Sequence, residues 1–176
     1  ITGEHGCVRE ALKAFISSRD NTRYFICLEE GLRAKVTQAQ LNETLMEEEF
    51  ERDKTDVLPL LESGGTAVVE QWHIGNLARA RVHDTILAVD YEGRLIEYIK
   101  KFQDNSVDVL HVSMRPNKMV PEPSVGYEDI TRLLNELAYV LKKLGLREYP
   151  IDGEAPWHNT QLRVDSLMKQ ILGSTG

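Results

Sequence analysis

The chain has 176 residues, 41% of them hydrophobic and 28% charged, with a net charge of −7 from 21 basic and 28 acidic side chains. That length suits one ordinary domain, or a small domain with helical extensions, and the apolar content suffices for a buried core. No apolar run reaches the roughly 18 to 20 residues that span a bilayer. The acidic balance gives no attraction to phosphate, so nucleic acid is an unfavourable partner.

The N-terminal segment reads as a helix. Val8, Ala11, Leu12, Phe15 and Ile16 recur at helical spacing and form one apolar stripe. "SSRDNT" ends it. Tyr24 to Leu32 is expected to be a second helix, weakened by Gly31. "TQAQLNETLMEEEFERD" is helical by propensity, and its acidic run Glu47 to Glu49 is expected to face water. Cys7 and Cys27 then fall in segments read as helical, where buried free thiols are expected and a single disulfide is the alternative.

Beyond Asp53 the character changes. Pro59 and Gly64-Gly65 argue against one long helix through "TDVLPLLESGGT". "AVVEQWHI" alternates and is rich in β-branched and aromatic residues, so a strand is expected. Tested as one helix, 67–102 scatters its apolar residues around the whole circle. Divided near Tyr91, it gives a buried strand "TILAV", a turn at Glu92-Gly93, and a short helix 93–103 with Leu95, Ile96, Tyr98, Ile99 and Phe102 on one side. "VDVLHVSM" is expected to be a strand.

Pro116, Pro121 and Pro123 mark 116–123 as a linker or extended arm. Ile130, Leu133, Leu134, Leu137, Val140, Leu141 and Leu144 then keep helical period over four turns. Lys142-Lys143 and Gly145 suit its C-terminal end. "REYPIDGEAPWHN" reads as irregular, and Thr160 to Leu172 as a final helix. No internal repeat is present.

The stretch "GGTAVVEQWHIGNLARARVHDTILAVDYEGRLIEYIKKFQDNSVDVLHVSMRP" resembles the later two-thirds of a PDZ domain. Gly75, Ala78, Asp84, Ile86, Leu87, Val89 and Asp90 carry the likeness, with Arg115 closing the last strand. The resemblance implies an α+β fold: a small PDZ-like sheet or barrel with a capping helix over 51–116. A helical segment 1–50 would precede it, and a Pro-rich arm with helices, 117–176, would follow. It also implies a peptide groove with Leu58, Leu60 and Leu61 at the carboxylate-binding loop and Leu95 and Ile99 on the groove-forming helix. Three departures stand against the pattern. His83 occupies the place of a Gly, the turn after Val89 is short, and Pro59 lacks the N–H donor that the carboxylate loop needs.

Nothing in the chain announces a reaction. There is no GxSxG, P-loop, GxGxxG or HExxH motif, and no HxH or HxxxH spacing for a metal. No cofactor is therefore expected. His83-Asp84 is read as a turn, with Asp84 bonding nearby backbone N–H groups. Arg79 and Arg81 lie too close to His83 for the Arg–His spacing of helical ribonucleases. The expected role is non-enzymatic: a protein-interaction or scaffold module, as an accessory subunit of a larger assembly. Trp157, beside His158 in a Pro-flanked segment, is a candidate partner contact. The alternative is a small enzyme with His73, His83 and His111 gathered around a carboxylate. The chain begins at Ile1, and both the cytoplasm and an organelle reached after loss of a targeting peptide fit the composition.

Overall fold

The computed structural model describes residues 12–14, 16–17, 19–115, 127–152 and 157–173. It is a mixed helix and strand protein in which helices form the bulk. In chain order come β1 (Thr22–Phe25), α1 (Glu29–Arg33) and α2 (Gln38–Arg52). A π-helical turn, Asp53–Val57, then runs directly into α3 (Leu58–Glu62). They are followed by β2 (Thr66–Val69), α4 (His73–His83), α5 (Thr85–Asp104), β3 (Leu110–Arg115), α6 (Tyr127–Lys143), β4 (Arg147–Asp152) and α7 (Trp157–Gly173).

The described strands pair two by two, and both pairs are parallel. β1 lies beside β2 with Thr22 opposite Thr66, and β3 beside β4 with Leu110 opposite Arg147. Parallel neighbours need a crossover, and helices supply it here: α1 to α3 between β1 and β2, and α6 between β3 and β4. Among the described residues no strand closes a barrel. Pro150 sits in β4 opposite Ser113 without breaking the ladder, because among the described residues β4 has a strand partner on one side only.

The largest core lies between helices. Ile74, Leu77 and Ala80 of α4 meet Ala88, Tyr91, Leu95 and Ile99 of α5, and Val140, Leu141 and Leu144 at the end of α6, with Met46 from α2. It thus draws on residues before 51 and after 116 as well as on those between. A second cluster joins Leu12 and Ile16 to Val112, Ile151, Val164 and Met168 around β3 and β4. A third holds Leu32, Leu41 and Leu45.

Several expected elements change identity. The strand expected at "TILAV" is the first turn and a half of α5, a single helix of 20 residues through Asp104. Asp84 caps it, its carboxylate accepting the Leu87 N–H at 3.1 Å. The local bonding foreseen for Asp84 is present, but it starts a helix rather than a strand. The periodicity misleads because α5 carries apolar residues on two faces. Ala88, Tyr91, Leu95, Ile99 and Phe102 are buried, whereas Ile86 and Val89 are 86% and 74% exposed.

Likewise, only Thr66–Val69 of "TAVVEQWHI" is strand, and His73 opens α4. Tyr24 ends in β1 rather than a helix, and "REYPID" is β4 rather than irregular. Pro59 does not interrupt the helical path from α2, because it stands in the first turn of α3, where no intrahelical N–H is required. The strand over Leu110–Arg115, the helix ending at Lys143 and the left-handed Gly145 (φ 64°) agree with the sequence reading. Cys27 is a half-buried free thiol after β1, and burial raises its pKa. Cys7, Val8, Ala11, Phe15 and the arm 116–123 lie outside the described residues.

Candidate functional site

The polar residues of greatest interest meet where α2 passes into the π turn. Glu49 and Asp53 are four residues apart, so their side chains share one helix face. That face turns inward, and both carboxylates have no exposed surface. The expectation that Glu49 belongs to a solvated acidic face is therefore corrected: Glu47 and Glu48 face water, and Glu49 does not. One acid of three points inward because the run covers most of a helical turn.

α4 brings the other half. Gln71 adopts a left-handed backbone (φ 47°) that turns the chain from β2 toward α4. Trp72 then donates its indole N–H to Asp53 Oδ2 at 2.7 Å. His73 follows with its ring fully buried, Nε2 at 3.2 Å from Asp53 Oδ2 and Nδ1 at 2.7 Å from the Tyr91 hydroxyl. One turn further along, Asn76 places its amide against Glu49 and Tyr91. Four aromatic rings surround the imidazole: Phe50, Trp72, Tyr91 and Tyr98, with the Phe50 centroid 4.3 Å away.

The electrostatics follow from that enclosure. Two carboxylates share the site with one permanent cation, the Arg52 guanidinium, which is ion-paired with Glu49 and donates to the Ile26 carbonyl at 2.9 Å. Burial, reinforced by Asp53 and opposed by Arg52, pushes the Glu49 carboxyl up to about 8. Burial likewise lowers the pKa of His73, keeping the imidazole neutral, although Asp53 pulls the other way. It raises the pKa of the Tyr91 hydroxyl well above the usual phenol range. The unit Asp53–His73–Tyr91 is a hydrogen-bonded chain in a dry environment. It can hold a proton or a cation.

Trp72 also touches a small cleft of about 110 Å³, lined among others by Val57, Leu61, Val69, Phe102 and His111. The indole thus belongs to the cleft on one side and to Asp53 on the other.

The residues singled out in the sequence are distributed as follows. Leu58, Leu60 and Leu61 are on α3, with Leu60 buried and Leu61 at the cleft. Leu95 and Ile99 are 0% and 2% exposed and belong to the α4–α5–α6 core. Trp157 begins α7, and its side chain lies outside the described residues. His73 joins the buried cluster, His83 is exposed at the end of α4, and His111 is buried on β3 beside the cleft. Arg79 and Arg81 serve ion pairs, Arg79 with Glu29 and Arg81 with Glu92 and Glu136.

Sequence reasoning assigns Glu49 to a solvated face rather than a cation site, and passes over Asp53, Asn76 and Tyr91. The available signals were weak: an acid pair at i, i+4 on an otherwise amphipathic helix, and a His followed three residues later by Asn. Neither shows burial by itself. No known protein-family model and no curated protein matches this chain.

Proposed function

We propose that the chain is a non-enzymatic protein-interaction module, a subunit of a larger assembly, that docks through the outer face of α5. The observation that carries this reading is the exposed apolar ridge Ile86, Val89 and Ile96. These residues recur at helical spacing and lie along one side of a helix whose opposite side already fills the core. Gly93 falls on the same ridge, and a Cβ there would meet nothing within 4 Å. A second helix can therefore come close at that point. Asp90 and Glu97, both exposed, border the ridge. The partner that fits is an amphipathic helix of another protein, with an apolar stripe and a basic flank. The net charge of −7 favours the same partner by long-range attraction.

A PDZ-like peptide receptor is a narrower form of this reading, and it draws less support. Ile86, Leu87 and Val89, expected on a strand, belong to the same helix as Leu95 and Ile99. A catalytic centre on three histidines also draws less support, because His73 lies in the buried cluster, His83 is exposed at the end of α4, and His111 is buried on β3 at the cleft.

The test is a photo-crosslinking residue at position 89 of the full chain, in the cells that make it, with crosslinks mapped by mass spectrometry. One stoichiometric partner is expected, reached through a basic amphipathic helix. Ile86→Glu is expected to abolish its recovery without lowering Tm. Crosslinks spread over abundant unrelated proteins, or a recovery unchanged by Ile86→Glu, overturn the reading.

A further inference from the structure

We propose that Glu49, Asp53 and His73, assisted by the side-chain carbonyl of Asn76, form a structural binding site for one divalent transition-metal ion of the zinc class. Each of the first three offers a ligand atom, and these atoms all lie within 4.8 Å of one another. The Asp53 Oδ2 to His73 Nε2 separation of 3.2 Å matches the edge of a tetrahedron whose metal–ligand bonds are about 2.0 to 2.1 Å, roughly 3.3 Å.

The second observation is a set of buried side-chain oxygens that make no hydrogen bond of normal geometry. Glu49 Oε1, Asp53 Oδ1 and Asn76 Oδ1 are all inaccessible and make no such bond. Asn76 is only 5% exposed, and its amide bears on Glu49. Buried oxygens without a donor are costly, and native interiors avoid them. A single cation between them would satisfy several at once. Arg52 does not do so: its pairing is with Glu49 Oε2 and the Ile26 carbonyl.

The surroundings suit a metal ligand set. Trp72 holds Asp53 Oδ2 from behind at 2.7 Å, and the Tyr91 hydroxyl engages His73 Nδ1 at 2.7 Å. An outer partner of this kind on a ligating histidine fixes which nitrogen faces the ion. A π turn begins at Asp53, and such turns recur at functional sites. The imidazole favours zinc, copper, iron or nickel over calcium, magnesium or manganese, and the full burial points to a closed structural site rather than an open catalytic one. The ion would tie the junction of α2 and the π turn to α4.

Without metal, the neutral ring can satisfy Asp53 by donating from Nε2 while Nδ1 accepts from Tyr91. With metal, Nε2 is the ligand and the proton moves to Nδ1, donating to the Tyr91 oxygen. The two states are therefore distinguishable by tautomer.

The experiment unfolds the full chain in chelator and refolds it with or without one equivalent of zinc(II), followed by dialysis. Metal is counted by mass spectrometry and stability read as Tm. About one zinc per chain and a higher Tm are expected. Asp53→Asn and His73→Gln are expected to weaken zinc retention about tenfold or more, whereas His83→Ala, at an exposed histidine, retains it. Should the two site variants fail to fold, the ¹⁵N–¹H spectrum of the unaltered protein still decides, because zinc must move the His73 proton from Nε2 to Nδ1. Zinc at background level with Tm unchanged, zinc retained by a folded Asp53→Asn, or a His73 proton that stays on Nε2 would each overturn the site.

Discussion

His73 joins two helices and a π turn through one ring: Nδ1 stands 2.7 Å from the Tyr91 hydroxyl on α5, and Nε2 stands 3.2 Å from Asp53. Tyr91→Phe keeps the aromatic packing and removes only the oxygen. It leaves a buried imidazole nitrogen without a partner, which costs about 1 to 3 kcal/mol. Urea unfolding measures the loss. In a double-mutant cycle with His73→Leu, the two changes are expected to be less than additive, since the second removes the group that the first left stranded. Strict additivity would show that the two residues do not act as a pair.

Two glycines make opposite predictions. A Cβ on Gly65 would lie 2.4 Å from Leu60 Cδ1, 2.8 Å from the Leu60 carbonyl oxygen and 2.9 Å from the Asn21 carbonyl oxygen. Two of those neighbours are backbone, so the turn from α3 into β2 must open. Gly65→Ala is expected to cost about 1 to 3 kcal/mol. Gly93 lies inside α5 with open space around it, so Gly93→Ala is expected to stabilise the isolated chain by about 0.5 to 1 kcal/mol. The same methyl stands on the proposed docking ridge and should weaken partner binding. Thermal unfolding and the position-89 crosslink yield read the two effects separately.

Arg81 connects α4 to both of its helical neighbours. Its Nη1 is 3.0 Å from Glu92 of α5, its Nε is 2.5 Å from Glu136 of α6, and its guanidinium lies 4.0 Å from the Tyr139 ring centroid. These contacts use the planar fork of arginine, which lysine cannot reproduce. Arg81→Ala is expected to cost about 1 to 2 kcal/mol, with Arg81→Lys restoring less than half. The loss should shrink as salt rises, since the group is partly exposed. Urea titrations at low and high ionic strength check both points.

What was legible in the sequence depended on whether an element had one apolar face or two. Leu133 to Leu144 line one side of α6, and Lys142 and Gly145 mark its end, so period and capping agreed with the structure. α5 carries Leu95 and Ile99 inward and Ile86 and Val89 outward, and a circle filled on both sides reads as no helix at all. Its apolar start then imitated a buried strand. The mixed helix and strand composition was visible, as was β3, and no described helix is long and apolar enough to cross a membrane. The buried site was not visible, because Glu49 differs from Glu48 only in the direction it faces, and tertiary packing sets that direction. The α2–α4 junction that encloses Asp53 and His73 depends on a π turn and a left-handed Gln71, neither of which has a reliable residue signature.

His111 supplies the pH dependence. Burial lowers its pKa to about 3, although Glu148 pulls upward, and the ring is 3% exposed on β3 beside the cleft. The unfolded chain titrates near the ordinary histidine value of about 6.5. Between those two values the unfolded state binds the extra proton and the folded state does not. This contribution to stability is therefore fully present above about pH 6.5 and is lost progressively toward pH 3, at a limiting slope of about 1.4 kcal/mol per pH unit. Other groups titrate over the same range, so the measured quantity is a difference. Urea unfolding of the unaltered chain and of His111→Asn at pH 7, 6, 5 and 4 gives two curves. Their gap should narrow as pH falls, because the variant lacks the group that must charge on unfolding. A gap that stays constant from pH 7 to pH 4 would show that His111 is not held neutral by its place in the fold.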